Sequence, residues 1–395
     1  MDLADILAHL SVPRPNQSDA LGQTAAYIKA LLSSWSIPYT VQEFTLRPYM
    51  QLSVGLAILL LAVLFFIFVL KRKPLAALIA ALVIPVVLIL EFELFIPVVT
   101  GLVTRGGENI IINFIAPDPA RELVFAAHYD SKTDFWDHIQ RSRIYAFIPL
   151  AVAIGLAIAV FTFFIKRYAA LRKKAVTALT LVLAGMVVAY WGLVFLGFGG
   201  YIFIPPDKQS YGAVDDGSSV AALLVLSKDI QDGKVATGHS NVTILLTSGE
   251  EVNLQGADAY LKKRFGGGEK PALPISLVNL ELAGQNGNMV YWKKDSEFLI
   301  FYNADPVLIE RMGAAWKEVS GMTIESRPAI TDDGQRFLAA GIPAVTVGNS
   351  GLPGPGEGWF HSTADNPERV NQDNLKLMIK AIERYIEGYN TNQDR

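Results

Sequence analysis

Long uncharged apolar stretches are the dominant pattern along this chain. A helix that crosses a bilayer needs about 20 consecutive apolar residues, and four stretches approach or exceed that length. The second stretch is the shortest, because Glu91 and Glu93 interrupt it. The pattern therefore predicts four transmembrane helices, at residues 53–70, 74–90, 144–165 and 175–204.

The four stretches pair into two hairpins with basic connections. The first connection is Lys71–Lys73, and the second contains Lys166, Arg167, Arg172, Lys173 and Lys174. Because basic loops stay in the cytoplasm, both connections are predicted to lie there. Two complete hairpins return the chain to its starting side, so the remaining segments share the opposite side. We therefore expect an integral protein of the cell membrane whose soluble part is extracytoplasmic.

Strand-like and helix-like patterns alternate outside the hairpins. Residues 39–46 alternate as in a half-buried strand, whereas residues 21–35 carry apolar positions at helical spacing. Such alternation predicts an α/β fold with a mostly parallel central sheet. Further strands are predicted at 109–115, 122–127, 242–247, 276–282 and 344–347, and further helices at 218–230, 256–262 and 375–386. One soluble domain, formed by residues 1–50, 101–143 and 205–395, is thus interrupted by hairpins at 51–100 and 144–204.

Composition narrows the classes of protein that fit. The apolar fraction of 51% agrees with membrane segments, and 34 basic against 37 acidic residues give no nucleic-acid footprint. The chain has no cysteine, which excludes disulfides and thiolate metal sites. Any metal must be held by His, Asp and Glu, a set that suits catalytic rather than structural zinc.

Residues of that type follow predicted strands or precede a helix. Because the carboxyl ends of parallel strands meet at one edge of a sheet, these residues are expected to converge there. Each has an ordinary alternative taken alone: a hydrogen-bonded core histidine, a helix N-cap, a pair of solvated acids or a loop histidine. The candidates are His128, Asp215, Glu251, Glu281 and His361.

Charge favours the joint interpretation. Several carboxylates at one edge would repel each other or take up protons unless cations balance them. Two divalent cations would balance Asp215, Glu251, Glu281 and one hydroxide, which leaves Glu250 as a general base. Asp130 lies two residues after His128 on the same strand face, where it can orient the imidazole.

Six stretches in order resemble the dizinc aminopeptidases of metallopeptidase family 28, in clan MH. That family also holds glutamate carboxypeptidase II and, more distantly, glutaminyl cyclase and the transferrin receptor ectodomain. The resemblance implies a three-layer α/β sandwich of the zinc exopeptidase type, here as a membrane-embedded variant. The matching stretches are ENIIINF…ELVFAAHYDS, YGAVDDGSSVAALL, TILLTSGEEVNLQGADAY, SLVNLELAG, TDDGQRFLAAGIPAVTVG and FHSTADNPERV.

The resemblance also implies roles for the candidates. Asp215 would bridge two Zn²⁺ ions, with His128 and Glu281 completing one site and Glu251 and His361 the other. Glu250 would take a proton from the metal-bridging water and pass it to the leaving amine, and Asp130 would support His128.

The chain also departs from the family pattern. Glu281 stands where many members have Asp, and Gly334 replaces a histidine of a later motif. No side chain that would stabilise the oxyanion is identified, and hairpins inside the catalytic domain are not the usual layout.

These features predict a membrane-bound zinc exopeptidase, in the first place an aminopeptidase. Carboxypeptidase or dipeptidase activity, a glutaminyl-cyclase-like acyltransferase and a non-catalytic receptor or scaffold stay open as alternatives. The five-residue ligand set favours hydrolysis over cyclisation, because the family's cyclases use one zinc and need no attacking water. The expected partners are the lipid bilayer and a peptide substrate presented at it; side-chain preference and oligomeric state stay open.

Overall fold

A computed structural model describes residues 3–171, 173–266, 271–296, 299–349, 351 and 359–389. The soluble part is built on one eight-stranded sheet and one small two-stranded sheet, the latter formed by the seventh and eighth strands. The strands are β1 (Thr40–Leu46), β2 (Arg105–Phe114), β3 (Arg121–His128), β4 (Ser240–Thr247), β5 (Ile275–Leu280), β6 (Met289–Trp292), β7 (Lys294–Asp295), β8 (Tyr302–Asn303), β9 (Glu325–Arg327) and β10 (Ala344–Asn349).

Parallel strands form the centre of the large sheet. Its order is β1-β2-β4-β3-β5-β10-β6-β9. The four central strands β4, β3, β5 and β10 run parallel, while β2 is antiparallel to both β1 and β4. His128 pairs with Thr247, so β3 and β4 end side by side. The predicted mostly parallel sheet is confirmed.

Helices cover both faces of this sheet. Alternate residues of β3 point to opposite faces: Val124 and Ala126 pack with α9 and α11, whereas Leu123 and Phe125 pack with α8 and α12. The predicted three-layer arrangement is therefore confirmed. The helices are α1 (Leu3–Leu10), α2 (Asp19–Ser34), α3 (Met50–Leu70), α4 (Pro74–Leu88), α5 (His138–Tyr145), α6 (Ile148–Arg167), α7 (Lys174–Gly199), α8 (Ser219–Gln231), α9 (Gln255–Phe265), α10 (Pro306–Ser320), α11 (Gly334–Ala339) and α12 (Gln372–Gly388).

Four helical segments are long and apolar enough to cross a membrane. They are Met50–Leu70, Pro74–Glu93, His138–Arg167 and Lys174–Phe203. Helix α3 packs against α7 and α4, and α4 packs against α6. Large apolar side chains such as Leu60, Leu75 and Leu179 are exposed on these helices. Arg172 of the second basic connection lies outside the described residues.

The second segment runs past the point where its acidic residues were expected to end it. The helix continues to Glu93, because both carboxylates are buried and bonded rather than left in an apolar environment. Glu91 accepts hydrogen bonds from the backbone N–H groups of Val98 and Val99 at 2.7 and 2.6 Å. Glu93 accepts one from the backbone N–H of Leu299 in the soluble domain.

Both hairpins leave the soluble domain at one edge of the sheet. Leu46 at the end of β1 pairs with Arg105 at the start of β2, and the first hairpin connects these two residues. Since β2 is antiparallel to β4, Arg105 lies at the same edge as Thr247. The second hairpin follows β3, whose last residue, His128, lies at the same edge. The sheet register therefore places the hairpins beside the carboxyl ends of the central strands.

Candidate metal centre

The two candidate histidines face the same aspartate. One carboxylate oxygen of Asp215 (Oδ1) lies 3.3 Å from Nε2 of His128, and the other (Oδ2) lies 3.0 Å from Nε2 of His361. Asp215 stands in the segment Ala213–Ser218 that precedes α8, and its side chain is 5% exposed. A carboxylate with one oxygen toward each imidazole has the arrangement that a bridging ligand requires.

The remaining acidic candidates surround this aspartate. Oε1 of Glu251 lies 2.9 Å from Nε2 of His361, and Oε1 of Glu281 lies 3.7 Å from Nε2 of His128. Glu250 follows β4 directly before Glu251, and its Oε2 lies 3.9 Å from Nε2 of His128. All five predicted ligands thus converge at the sheet edge; their role as ligands stays a prediction.

The donor set fits a metal centre by an independent criterion. Among the buried side-chain atoms of the described residues that make no hydrogen bond, three belong to candidate ligands: Nε2 of His128, Oε1 of Glu251 and Oε2 of Glu281. Buried polar atoms normally form hydrogen bonds, so three unbonded ligand atoms in one site need an explanation. Ligand atoms of His128, Asp215 and Glu251 lie within 4.8 Å of one another, a spacing that can enclose one ion. Imidazole nitrogen and carboxylate oxygen are donors that zinc accepts.

Burial and neighbouring charges shift the pKa values of several residues in the site. Burial raises the pKa of Glu281 to about 8. Burial also raises the pKa of Glu250 well above its usual value; His128 opposes this shift, and Glu251 adds to it. Burial lowers the pKa of His128, but Glu250, Asp130 and Asp215 outweigh it and raise the pKa well above 6.5. Glu250 and Glu281 would therefore hold protons at neutral pH, and divalent ions are partners that would keep these two acids ionised.

Asp130 contacts His128 and also organises the adjacent loop. Its backbone oxygen lies 3.2 Å and its carboxylate oxygen 3.5 Å from Nδ1 of His128. The buried carboxylate accepts a hydrogen bond from the backbone N–H of Glu251 at 3.1 Å, and from Asn16 at 2.6 Å. Asp130 therefore fixes an imidazole and the loop that carries Glu250 and Glu251.

Asp134 is a site residue that the sequence did not reveal. Its Oδ2 lies 2.7 Å from Nδ1 of His361, which leaves Nε2 facing Asp215 and Glu251. Arg141 of α5 forms an ion pair with the same carboxylate. Burial opposes ionisation of Asp134, but Arg141, Lys132 and His361 hold its pKa well below the usual range. Its position in a loop after β3 gives no strand or spacing signal.

Two further supports were also missed. Arg14 is fully buried and donates to the backbone oxygens of Tyr129 and Gly212, at 2.7 and 2.8 Å. Asp365 accepts a hydrogen bond from the backbone N–H of Asp215 at 3.2 Å. These contacts join distant parts of the chain, so no local pattern indicates them.

The position of the replaced family histidine is closed by packing. A Cβ atom at Gly334 would lie 2.8 Å from Oδ1 of Asp332 and 2.8 Å from Oγ1 of Thr346. Oδ1 of Asp332 accepts a hydrogen bond from the backbone N–H of Gly334 at 2.7 Å. A larger side chain at this position would have to displace the buried Asp332, so substrate contacts must come from elsewhere.

A cavity of about 340 Å³ opens onto the candidate ligands. Its lining includes Asp215, Glu250, Glu251, Glu281 and His361. The ends of the four candidate membrane helices also line it, through Gln51, Phe92, Tyr145 and Phe198. The volume lies near the lower end of the range typical of small-ligand pockets.

Comparisons with known proteins agree with this architecture. Among solved structures, a Zn-dependent exopeptidase from Parabacteroides distasonis is similar at 16% identity and a TM-score of 0.53, covering 97% of this chain and 94% of the other. A leucine aminopeptidase precursor from Bacteroides thetaiotaomicron is similar at 14% identity and a TM-score of 0.54, covering 99% and 98%. A glutaminyl cyclase from Porphyromonas gingivalis is similar at 12% identity and a TM-score of 0.55, covering 98% and 97%.

Sequence comparison finds one family model that matches part of the chain. No curated protein sequence matches the chain. The model of peptidase family M28 matches residues 198–386, which include Asp215, Glu251, Glu281 and His361. This part of the chain is therefore similar to peptidase family M28, and the chain has the fold of the solved zinc exopeptidases.

Proposed function

We propose that this protein is a membrane-bound, zinc-dependent exopeptidase of the aminopeptidase type that holds two Zn²⁺ ions. The observation that carries the proposal is Asp215, whose two carboxylate oxygens face two different imidazoles at 3.3 and 3.0 Å. His128 and Glu281 would complete one zinc site, and Glu251 and His361 the other. The M28 match supports the peptidase class and zinc as the metal.

The residues around the ligands supply the acid–base chemistry. Bound zinc supplies Lewis acidity, which polarises a carbonyl group and lowers the pKa of water. Glu250 is 9% exposed, lies beside the imidazole of His128 and faces the cavity. It is placed to accept the proton of the attacking water and to return it to the leaving amine. Asp130 and Asp134 hold the two imidazoles through their Nδ1 atoms.

Exchange of a single acid separates the proposed roles. Glu250→Gln should keep both zinc ions and lose about 10²- to 10⁴-fold in peptide hydrolysis, because the proton acceptor is gone. Glu251→Gln should lose zinc as well as activity. Glu108→Gln is the matched control, since the Glu108 side chain pairs with Lys29 and does not line the cavity. Full activity in Glu250→Gln, or full activity after removal of all metal, would refute the mechanism.

Mass spectrometry of an incubated peptide separates the alternatives. A peptide that begins with glutamine loses its first residue under an aminopeptidase, loses ammonia under a cyclase and stays intact with a non-catalytic protein. We expect loss of the first residue, abolished by a chelator. Loss of ammonia alone would assign the chain to the cyclase activity instead.

We also propose that the four apolar segments cross a cell membrane and that the catalytic domain lies outside the cytoplasm. The absence of native cysteine allows a direct test with single-cysteine variants. Lys71→Cys and Lys173→Cys, one in each basic connection, should react with an impermeant maleimide only after the membrane is opened. Asp118→Cys, at a side chain that is 94% exposed, should react in intact cells. Labelling of the two connections from opposite sides would overturn this topology.

The substrate is proposed to be a peptide presented at the bilayer, because helix ends and candidate ligands share one cavity. Hydrolysis of an acylated peptide in liposomes should therefore exceed that of its soluble analogue. Equal rates would show that presentation at the bilayer does not contribute to hydrolysis.

A further inference from the structure

The membrane helices contribute an aromatic wall to the candidate active site. Phe198 of α7 stacks with Phe92, which follows α4, at a ring-centroid distance of 5.2 Å. Tyr145 of α5 also stacks with Phe198, at 5.1 Å. All three residues line the cavity that holds Glu250 and Glu281. We call Phe92, Tyr145 and Phe198 the aromatic wall.

This wall is fixed to the catalytic loop. Gln51 at the start of α3 donates a hydrogen bond to the backbone oxygen of Glu251 at 3.1 Å. Asn253 donates one to the backbone oxygen of Glu91, directly before Phe92, at 2.9 Å. The loop that carries Glu250 and Glu251 is therefore tied to both helices of the first hairpin. Such ties hold the wall at a defined position relative to the reacting groups.

The wall differs chemically from the predicted ligands. The ligands and Glu250 contribute carboxylates and imidazoles, whereas the half-buried ring of Tyr145 lines the cavity and packs on Phe198, which like Phe92 is almost fully buried. The transfer of an apolar side chain from water to such a surface has a favourable free energy. A peptide residue beside the scissile bond would thus place its polar backbone at the acids and its side chain on the rings.

We propose that the aromatic wall is the subsite for the side chain next to the scissile bond, and that it selects peptides with a large apolar residue there. The inference rests on the proposed exopeptidase function. It gives the hairpins a part in substrate recognition in addition to membrane attachment. A cavity of about 340 Å³ accommodates one or two residues rather than a folded segment.

Two glycines of α7 provide a matched pair of variants. A Cβ atom at Gly197 would lie 2.7 Å from the hydroxyl oxygen and 3.0 Å from a ring carbon of Tyr145. Gly197→Ala must therefore displace Tyr145 from its place in the wall. At Gly192 a Cβ atom meets no heavy atom of the described residues within 4 Å. Gly192→Ala makes the same change on the same helix without touching the wall.

The test compares substrates that differ only in their first side chain. For the full-length zinc-loaded protein in detergent, kcat/KM is measured for leucine, phenylalanine and alanine p-nitroanilides. The wild type should prefer leucine and phenylalanine by roughly 10- to 100-fold. Phe198→Ala and Gly197→Ala should reduce this preference at least about fivefold, and Gly192→Ala should retain it. An unchanged preference in both wall variants, or an equal loss for all substrates, would overturn the proposal.

Binding separates this inference from the proposed function. Affinities of leucinamide and alaninamide are measured by calorimetry on zinc-loaded Glu250→Gln, alone and combined with Gly197→Ala or Gly192→Ala. Tighter leucinamide binding that only Gly197→Ala weakens supports the wall, even if no peptide is hydrolysed by the wild type. Equal affinity for the two amides would overturn it, whether or not the wild type is an active peptidase.

Discussion

Replacing Asp134 tests whether a residue outside the proposed ligand set controls metal affinity. The Asp134 side chain is 3% exposed and contacts Nδ1 of His361 at 2.7 Å, on the side of the ring away from Asp215 and Glu251. This contact selects the tautomer and orientation in which Nε2 is free to bind a metal. Asp134→Asn keeps the size of the side chain but removes the charge that balances Arg141 and Lys132.

Two estimates of the effect agree. A hydrogen bond to a charged group contributes about 1.5–3 kcal/mol, and loss of an outer-shell partner typically costs 10- to 100-fold in metal affinity. The latter range corresponds to about 1.4–2.7 kcal/mol. We therefore expect one of the two proposed zinc ions to bind 10- to 100-fold more weakly in Asp134→Asn, while the ion proposed beside His128 is retained.

Zinc titration of chelator-treated protein against a competing chelator measures this effect directly. Asp137→Asn is the control, because it makes the same change three positions later. Asp137 caps α5 by accepting a hydrogen bond from the backbone N–H of Gln140 at 2.8 Å, and asparagine caps a helix equally well. If Asp134→Asn melts like the wild type and both zinc dissociation constants are unchanged, our account of His361 is wrong.

Three further predictions concern stability. Arg14→Met should lower the free energy of unfolding by about 3–5 kcal/mol in denaturant titrations, because several buried backbone oxygens lose a charged donor. Glu91→Gln should lower the free energy of unfolding by about 1.5–3 kcal/mol and speed proteolysis at residues 98–100, because their backbone N–H groups donate hydrogen bonds to this carboxylate. Burial beside Asp229 raises the pKa of Glu383 to about 7 from 4.5, so the stability linked to its bound proton is full below pH 4.5 and lost as pH rises through 7. Glu383→Gln should therefore raise the melting temperature relative to the wild type at pH 8 but not at pH 4, and an equal shift at both would contradict this.

Hydrophobic patterns along the chain predicted the long buried strands of the sheet correctly. The strands that carry His128 and precede Glu250 are buried runs of β-branched and apolar residues, and they appear within two residues of their predicted bounds. The short strands β6 to β9 were missed, because two to four residues give no periodicity to detect. Helix α10 was also missed, although Asp305 caps its first turn through the N–H groups of Val307 and Leu308.

Some residues of the candidate site could be predicted from the sequence, and others could not. Histidine and acids at strand ends can be recognised one at a time, and sheet topology brings them together. The contacts of Arg14, Asn16 and Asp134 depend on the path of loops between distant segments, which one sequence does not specify. The candidate membrane helices are apolar on all sides, so their sequence does not indicate which face packs against its neighbours. The aromatic wall was therefore not predictable.

The sheet register explains why the candidate membrane helices and the candidate ligands share a cavity. A strand that runs antiparallel to the central strands begins where they end, so β2 starts at the edge where β3 and β4 finish. The first hairpin fills the turn from β1 to β2, and the second fills the connection between β3 and the segment before α8. Insertions at the opposite edge would have placed the helices a full strand length from Asp215. With both at the carboxyl edge, the helix ends meet the loop of Glu250 and Glu251, and the candidate membrane segments form one wall of the cavity.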